Sequence, residues 1–309
     1  VVLVSGAAPG LAGVGVRSYR VRIPLHVPLG GQSTRDATLV EGPVGWGEFS
    51  PLPGYPCDPR SCEDAVREAV FVGWPAPVRD SVPVNGLVPG VDPETAARLA
   101  TEAGAAGMTT VKVKVGGGSL DEDADRVAAV RAALGPAGRI RLDANGAWDL
   151  DAAVAAIERL AGFDLELVEQ PVADLGDLAR VRRRVSVPVA ADESLRSLGD
   201  ARRLAALGAA DAVVVKVQPL GGVRAALRVV EAAGVPAIVS SLYETSVGLA
   251  AGVALAAALP DLPFACGLGT APLLAGDVVA HPLLPEGGML PVRRPEPDPA
   301  LLARWELRS

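Results

Sequence analysis

From residue 82 to about residue 266 the chain alternates short Val/Ala/Ile-rich runs with amphipathic Ala/Leu/Arg stretches. This predicts an α/β fold: a (β/α)8-type, modified TIM barrel with an α+β capping domain. The apolar runs are near-continuous, as in parallel strands covered on both faces. They number roughly eight, near 82–85, 110–115, 139–143, 165–169, 189–192, 212–216, 237–240 and 264–266, which is the strand count of such a barrel. Roughly seven helices fall between them, near 93–106, 119–134, 150–161, 174–185, 197–207, 221–233 and 245–258, so the last helix is altered. A doubly wound sheet competes, but it would carry a Gly-x-Gly-x-x-Gly turn after its first strand, and the residues following Asn85 provide none.

Taken in order, residues 1–16 are apolar and uncharged, yet they lack a basic leader and are broken by Gly6, Pro9, Gly10 and Gly13. They fit neither a signal peptide nor a membrane span. Alternation at 14–17, 19–23 and 37–40, leading into Val44-Gly45-Trp46-Gly47-Glu48, predicts an antiparallel meander. The Gly-rich stretch 28–33 predicts a loop able to close over a ligand. Residues 61–72 read as a helix with Ser61 as N-cap and Glu63 and Asp64 in its first turn. Farther on, Ser119 followed by Glu122 marks a capping box, and Gly107, Gly162, Gly208 and Gly234 stand where helices end. The expected division is a capping domain of residues 1–80, onto which the Pro-rich tail 270–309 packs back, and a barrel of residues 81–269 carrying the active site.

Composition narrows the function. A chain of 309 residues, 50% apolar, has enough material for one large core, and disorder is not expected. The formal charge of −7 argues against a nucleic-acid partner, which would need a basic face. Arg182, Arg183 and Arg184 read as the solvated end of a helix. No stretch predicts a membrane partner. Cys57, Cys62 and Cys266 are too few and too scattered for a disulfide framework, and two histidines leave no Cys/His constellation for zinc. A reduced, cytoplasmic protein is the expectation. Oligomeric state is not legible.

Three apolar runs end in carboxylates: Arg141-Leu142-Asp143, Leu167-Val168-Glu169 and Ala190-Ala191-Asp192. A single acid after a strand is often only the cap of the next helix. Three on successive strands repel one another unless a cation sits among them. Hard oxygen donors without His or Cys select Mg²⁺, with Mn²⁺ as a substitute. In Val111-Lys112-Val113-Lys114-Val115, period-two alternation sends both lysines to one face and the valines to the other. In a barrel neither strand face is wet, so Lys112 and Lys114 point inward. Lys216 ends a Val-rich run and needs either an ion-pair partner or a task, since burying it alone is costly. Strands two and six are nearly opposite in a ring of eight, which would place Lys216 across from Lys114.

Lys-x-Lys on the second strand, Asp, Glu and Asp closing the third to fifth, and Lys on the sixth resemble the enolase superfamily, specifically its muconate-lactonizing subgroup. The resemblance covers nearly the whole chain, including Gly45-Trp46-Gly47-Glu48-Phe49-Ser50-Pro51-Leu52-Pro53 in the capping region. It implies that Asp143, Glu169 and Asp192 hold Mg²⁺, that the ion binds the carboxylate of a small-molecule substrate, and that a lysine removes the α-proton to give an enediolate. Lys114 matches the base. Lys216 matches the opposite lysine, and Lys112 is the third member of the catalytic set. Within the subgroup the chain resembles the dehydratases that aromatise a succinyl-bearing hydroxycyclohexadiene carboxylate. Ser240 and Ser241, in the run after the seventh strand, match the segment that binds the succinyl side, and Gly221, Gly222 and Asn145 are assigned with them to substrate binding. Ser and Thr here could equally cap the following helix, and the glycines could simply make a turn. Cys266-Gly267-Leu268-Gly269-Thr270 lacks the acidic pair by which dipeptide epimerases grip an ammonium group. Racemisation of N-succinylamino acids remains the alternative reaction. Muconate cycloisomerisation is a weaker third, and a barrel with a purely structural metal is the alternative of another class.

Overall fold

The computed structural model describes residues 16–29 and 31–307, so the reading of the opening run lies outside the described residues save for Val16, as does Gly30. The meander is present as β1 (Arg17–Leu29), β2 (Gln32–Glu41) and β3 (Trp46–Phe49), one antiparallel sheet in that order. The loop expected at 28–33 is shorter than its glycines suggested, because Leu29 already pairs with Gln32. Next comes α1 (Pro59–Arg67), continued by a wider turn over residues 68–72 that the Gly73 N–H closes on the Glu68 carbonyl at 2.8 Å. Its cap is Asp58, not Ser61. Pro59 at the first helical position starts the helix earlier, and the Asp58 carboxylate accepts from the Arg60 N–H at 3.0 Å.

The barrel region then runs β4 (Ser81–Pro83), β5 (Gly86–Val88), α2 (Pro93–Ala105), β6 (Thr110–Lys114), α3 (Leu120–Leu134), β7 (Arg139–Asp143), α4 (Leu150–Leu160) and β8 (Leu165–Glu169). It continues with α5 (Leu175–Arg182), β9 (Val189–Ala191), α6 (Leu198–Leu207), β10 (Ala212–Val215), α7 (Val217–Leu220), α8 (Val223–Ala233), β11 (Ala237–Val239) and α9 (Ser246–Ala258). Strands β5 to β11 lie side by side in chain order and are all parallel, a seven-stranded sheet among the described residues.

The two barrel edges depart from expectation. Residues 81–83 pair antiparallel with β12 (Met289–Pro291) of the tail, and pairing with β6 begins only at Gly86. The eighth strand is reduced to a pair of bridges. Cys266 donates to the Pro83 carbonyl at 2.7 Å and accepts from the Asn85 N–H at 2.9 Å, while the Gly267 N–H reaches the Val239 carbonyl at 2.8 Å. These few bonds join β11 to the start of β5, so the curled sheet closes on itself.

Valines 111, 113 and 115 are buried between sheet and helices, as the alternation required. The ring interior holds a smaller apolar cluster of Leu167, Ala190, Ala212, Val214 and Ile238 with Phe264 against it. A register shift between Ile140 and Arg141 leaves Glu166 as an extra residue in β8, and that bulge lets Glu166 pair with the buried Arg141. Arg141 also donates to the Ala265 carbonyl at 2.7 Å and lies over the Phe264 ring, plugging the barrel beneath the acids. At helix ends, Gly208 and Gly234 adopt positive φ as expected. Gly162 instead falls inside a tight turn at 161–163, and Asp164 takes the left-handed conformation with φ 54°. Arg182 and Arg184 are half-exposed and pair with Asp211 and Asp151. In the tail, α10 (Pro299–Trp305) packs on β1, and the Ala275 and Leu307 N–H groups donate to the Pro24 and Arg20 carbonyls. No helix of the described residues is long and apolar enough to cross a membrane.

Candidate active site

Parallel register brings the acids together. Lys114 pairs with Asp143 across β6 and β7, and Asp143 with Glu169 across β7 and β8. Glu169 faces Ala190 of β9, so Asp192, two residues on, points the same way one step nearer the rim. All three carboxylates are buried to 2% exposure or less. Lys112 bridges Asp143 at 2.9 Å and Glu169 at 3.0 Å, and Lys114 contacts Asp143 at 2.6 Å and the Asn145 side-chain oxygen at 2.8 Å. Lys216 follows β10 directly and forms a tight pair with Asp192. Three strands, β7 to β9, separate β6 from β10, so Lys114 and Lys216 stand on opposite walls.

The charges are strongly coupled. Burial alone would favour the protonated acids, but Lys112 and Lys114 hold the Asp143 carboxyl well below the usual range, and Lys216 does the same for Asp192. Glu169 is the member left over: burial, then the Asp143 charge, push it up to about 8. Burial pulls Lys112 and Lys216 down, yet the surrounding carboxylates outweigh it and both bind their protons more firmly than a free lysine. Next to Asp192, burial and then the Asp192 charge raise the Glu193 carboxyl. One Glu193 oxygen accepts from Asn145 at 2.8 Å, and the other is buried without a partner.

Among the described residues no three acidic side chains are gathered at metal-ligand spacing, because ammonium groups lie between them. The donor chemistry nevertheless fits a divalent cation. The donors are hard oxygens only, buried on adjacent strand ends, with Glu169 short of compensating charge and an orphaned Glu193 oxygen in the residue after Asp192.

Ser240, Ser241 and Asn145 line the same pocket as the lysines, with Gly267, Gly269 and Thr270 completing that side. The Ser241 hydroxyl is shared with Thr270 at 2.9 Å and reaches the Gly267 carbonyl at 3.0 Å. Thr245, not Ser240 or Ser241, caps α9. Gly221 and Gly222 lie away from the lining. Glu68, from the turn after α1, takes the Val223 N–H at 2.5 Å and fills the N-terminus of α8. A Cβ on Gly222 would lie 2.3 Å from the Glu68 carboxylate, so glycine there serves docking of that turn.

Sequence reasoning missed two contributors. Buried Gln170, with φ 39°, accepts from the Asp192 N–H at 2.7 Å and from Ser194, fixing the backbone beside Asp192; its place after Glu169 was the available signal. Tyr55 comes from the segment between β3 and α1. Its hydroxyl donates to Asp192 at 2.8 Å and accepts from Lys216 at 3.2 Å, and the Lys216 ammonium lies 4.3 Å from its ring centre. Nothing in its sequence surroundings signals this.

Closed parallel barrel, antiparallel N-terminal sheet and a rim of acids between opposed lysines define the enolase class of barrel proteins. The family described as enolase C-terminal domain-like matches residues 95–297, and enolase N-terminal domain-like matches residues 20–63. The muconate lactonizing enzyme of Pseudomonas fluorescens complexed with muconolactone shares the fold with a TM-score of 0.82 at 24% identity, over 94% of this chain and 98% of that one. The L-Ala-D/L-Glu epimerase of Bacillus subtilis gives 0.81 at 26% identity, over 91% and 96%. In sequence, the o-succinylbenzoate synthase of Thermobifida fusca (strain YX) is 57% identical over 92% of this chain and 90% of its own length. That of Mycobacterium marinum is 44% identical over 93% and 87%. The chain belongs to the o-succinylbenzoate synthase family of the enolase superfamily.

Proposed function

We propose that this chain is an o-succinylbenzoate synthase, a lyase that removes water from 2-succinyl-6-hydroxy-2,4-cyclohexadiene-1-carboxylate to give 2-succinylbenzoate in menaquinone biosynthesis. The supporting observation is the pair Lys114 and Lys216 on opposite walls above three buried acids, in a chain so similar to synthases of that name. Asp143, Glu169 and Asp192 would hold the divalent ion, here read as Mg²⁺ with Mn²⁺ as a substitute. When bound, it supplies positive charge that lowers the cost of negative charge developing on the substrate carboxylate.

Lys114, near the pocket mouth at 26% side-chain exposure, takes the α-proton and returns it to the departing hydroxyl, so one water leaves and no oxidant is needed. Lys216 faces the developing anion from the other wall and keeps its proton. Lys112, locked between Asp143 and Glu169, orients those carboxylates. Ser240, Ser241 and Asn145 are read as substrate contacts, with the succinyl end toward the serines. A capping domain of residues 1–80 with the tail 270–309, over a barrel of residues 81–269, belongs to the same reading, although β12 lies against β4 instead. A cytoplasmic setting is supported by three free cysteines among the described residues.

Opposed lysines also suit a racemase, so N-succinylamino acid racemisation is the second reading. Parallel steady-state kinetics on the cyclohexadiene carboxylate and on N-succinylamino acids decide between them. The dehydration is expected to show the higher kcat/KM and to stop with chelator; a higher value for racemisation would overturn the proposal.

A further inference from the structure

The active-site wall formed by Tyr55 is tethered to a pair of thiols. Tyr55 belongs to the segment between Leu52 and Cys57, whose upstream end is fixed where Ser50 N–H meets the Gln218 side chain at 2.9 Å and Arg35 donates to the Pro51 carbonyl at 3.3 Å. Its downstream end is Cys57, half-buried, with its sulfur 2.9 Å from that of Cys62. Cys62 is fully buried within α1, and α1 packs on α7, the helix that begins directly after Lys216. The two thiols therefore stand at the junction between the Tyr55 segment and the helix leading to Lys216. With Tyr55 in place the space among the pocket side chains is about 100 Å³, against roughly 300 Å³ or more for a site that takes a small-molecule ligand. Leu52 and Tyr55 of this segment line that space.

We propose that Cys57 and Cys62 are a reversible thiol–disulfide modification site, oxidised by low-molecular-weight disulfides, and that closing it locks Tyr55 over Lys216 and Asp192. The Cys57 thiolate attacks a disulfide RSSR, forming a Cys57–SR mixed disulfide and releasing RS⁻. Cys62, losing its proton, attacks the Cys57 sulfur, forming the intramolecular bond and releasing the second RS⁻. Two electrons pass from the cysteines to RSSR, and the two thiol protons finish on two RSH. The order of attack follows the setting: Cys57 is the more accessible thiol, and the contact between the two sulfurs lowers the proton affinity of Cys57 while raising that of buried Cys62. The third thiol, Cys266, is buried at the barrel seam and takes no part.

The test treats the full chain with oxidised glutathione, then counts alkylatable thiols after denaturation, maps the linkage by peptide mass, and follows amide exchange of residues 52–57 and turnover. Expected are a fall from the three cysteines of the chain to one free thiol, a Cys57–Cys62 peptide, and slower exchange in 52–57. Turnover should fall by about tenfold or more, as when loop opening becomes limiting, and return with dithiothreitol. Cys57→Ser should keep basal turnover and lose the response, whereas Cys266→Ser should keep both. Three thiols still alkylatable, glutathione remaining on Cys57, or a formed link with unchanged exchange and turnover would each overturn the proposal. Thiol count and exchange do not depend on the reaction assigned above, so a reduced chain inactive on the cyclohexadiene carboxylate would sink that assignment and leave this one to be decided separately.

Discussion

Lys114 and Lys216 carry the same charge at the same rim, yet their settings differ enough to separate their roles by mutation. Lys114 is partly exposed and shares Asp143 with Lys112, so its removal leaves that acid paired. Lys216 is buried, and its removal leaves the Asp192 carboxylate with only the Tyr55 hydroxyl. Both Lys114→Ala and Lys216→Ala are expected to lower kcat by about 10²–10⁴, the first by removing the positioned base and the second by removing the charge that faces the developing anion. Only Lys216→Ala should also cost roughly 3–5 kcal/mol of stability in chelator, as a broken buried pair does. Urea unfolding of both variants checks this, and equal midpoints would contradict it.

Glu48 is a second residue with a measurable signature. It accepts from Ser50 at 2.6 Å and from Gly248 at 3.0 Å, and burial pushes its carboxyl up to about 7 against these donors and the Arg35 charge, with Glu244 adding to the rise. Unfolded, such a carboxyl titrates near ~4.3. Its contribution to stability is therefore complete below that value and is lost as pH rises through 7. Unfolding free energies measured from pH 5 to 8 should fall less steeply in Glu48→Gln, by up to about 3 kcal/mol. An unchanged slope would rule out the shift.

At the scale of elements, α8 shows how one segment caps another. Glu68 carries the charge that its N-terminus favours, accepting from Val223 at 2.5 Å, and also pairs with Arg224 at 2.7 Å. Glu68→Ala should cost about 1 kcal/mol, typical of a lost cap. KM should stay unchanged; a raised KM with intact stability would return Gly221 and Gly222 to the substrate. Helix ends governed by local chemistry were legible, as with the Ser119 and Glu122 capping box and the left-handed Gly208 and Gly234. Gly162 was misread because α4 tightens before it ends, where Arg131 of α3 holds the Phe163 and Asp164 carbonyls. The β8 bulge was hidden because Leu165-Glu166-Leu167 alternates like an ordinary strand, and only its pairing with β7 shows the extra residue.

For the whole molecule, the acids are brought together only when β7, β8 and β9 pair, so ion binding and folding are linked. Saturating Mg²⁺ should stabilise the chain by about 3 kcal/mol at a hundredfold excess over Kd. Asp143→Asn should abolish that shift in thermal midpoint while leaving the metal-free protein folded. A midpoint indifferent to Mg²⁺ in the unsubstituted chain would refute the metal assignment.

By itself the sequence determined the succession of strands and helices, the inward face of Lys112 and Lys114, and the placing of Asp143, Glu169, Asp192 and Lys216 at strand ends. Periodicity and spacing are local properties, and a parallel strand writes its burial on both faces directly into its residues. Tertiary structure alone decided that Cys266 and Gly267 seal the barrel with a few backbone bonds, that the tail claims residues 81–83, and that Glu68 occupies the helix terminus beside Gly222. It alone brought Tyr55 onto Lys216 and Asp192. Most of these contacts join residues more than a hundred positions apart, and their energy comes from surfaces that meet only in the folded chain, so no local pattern records them.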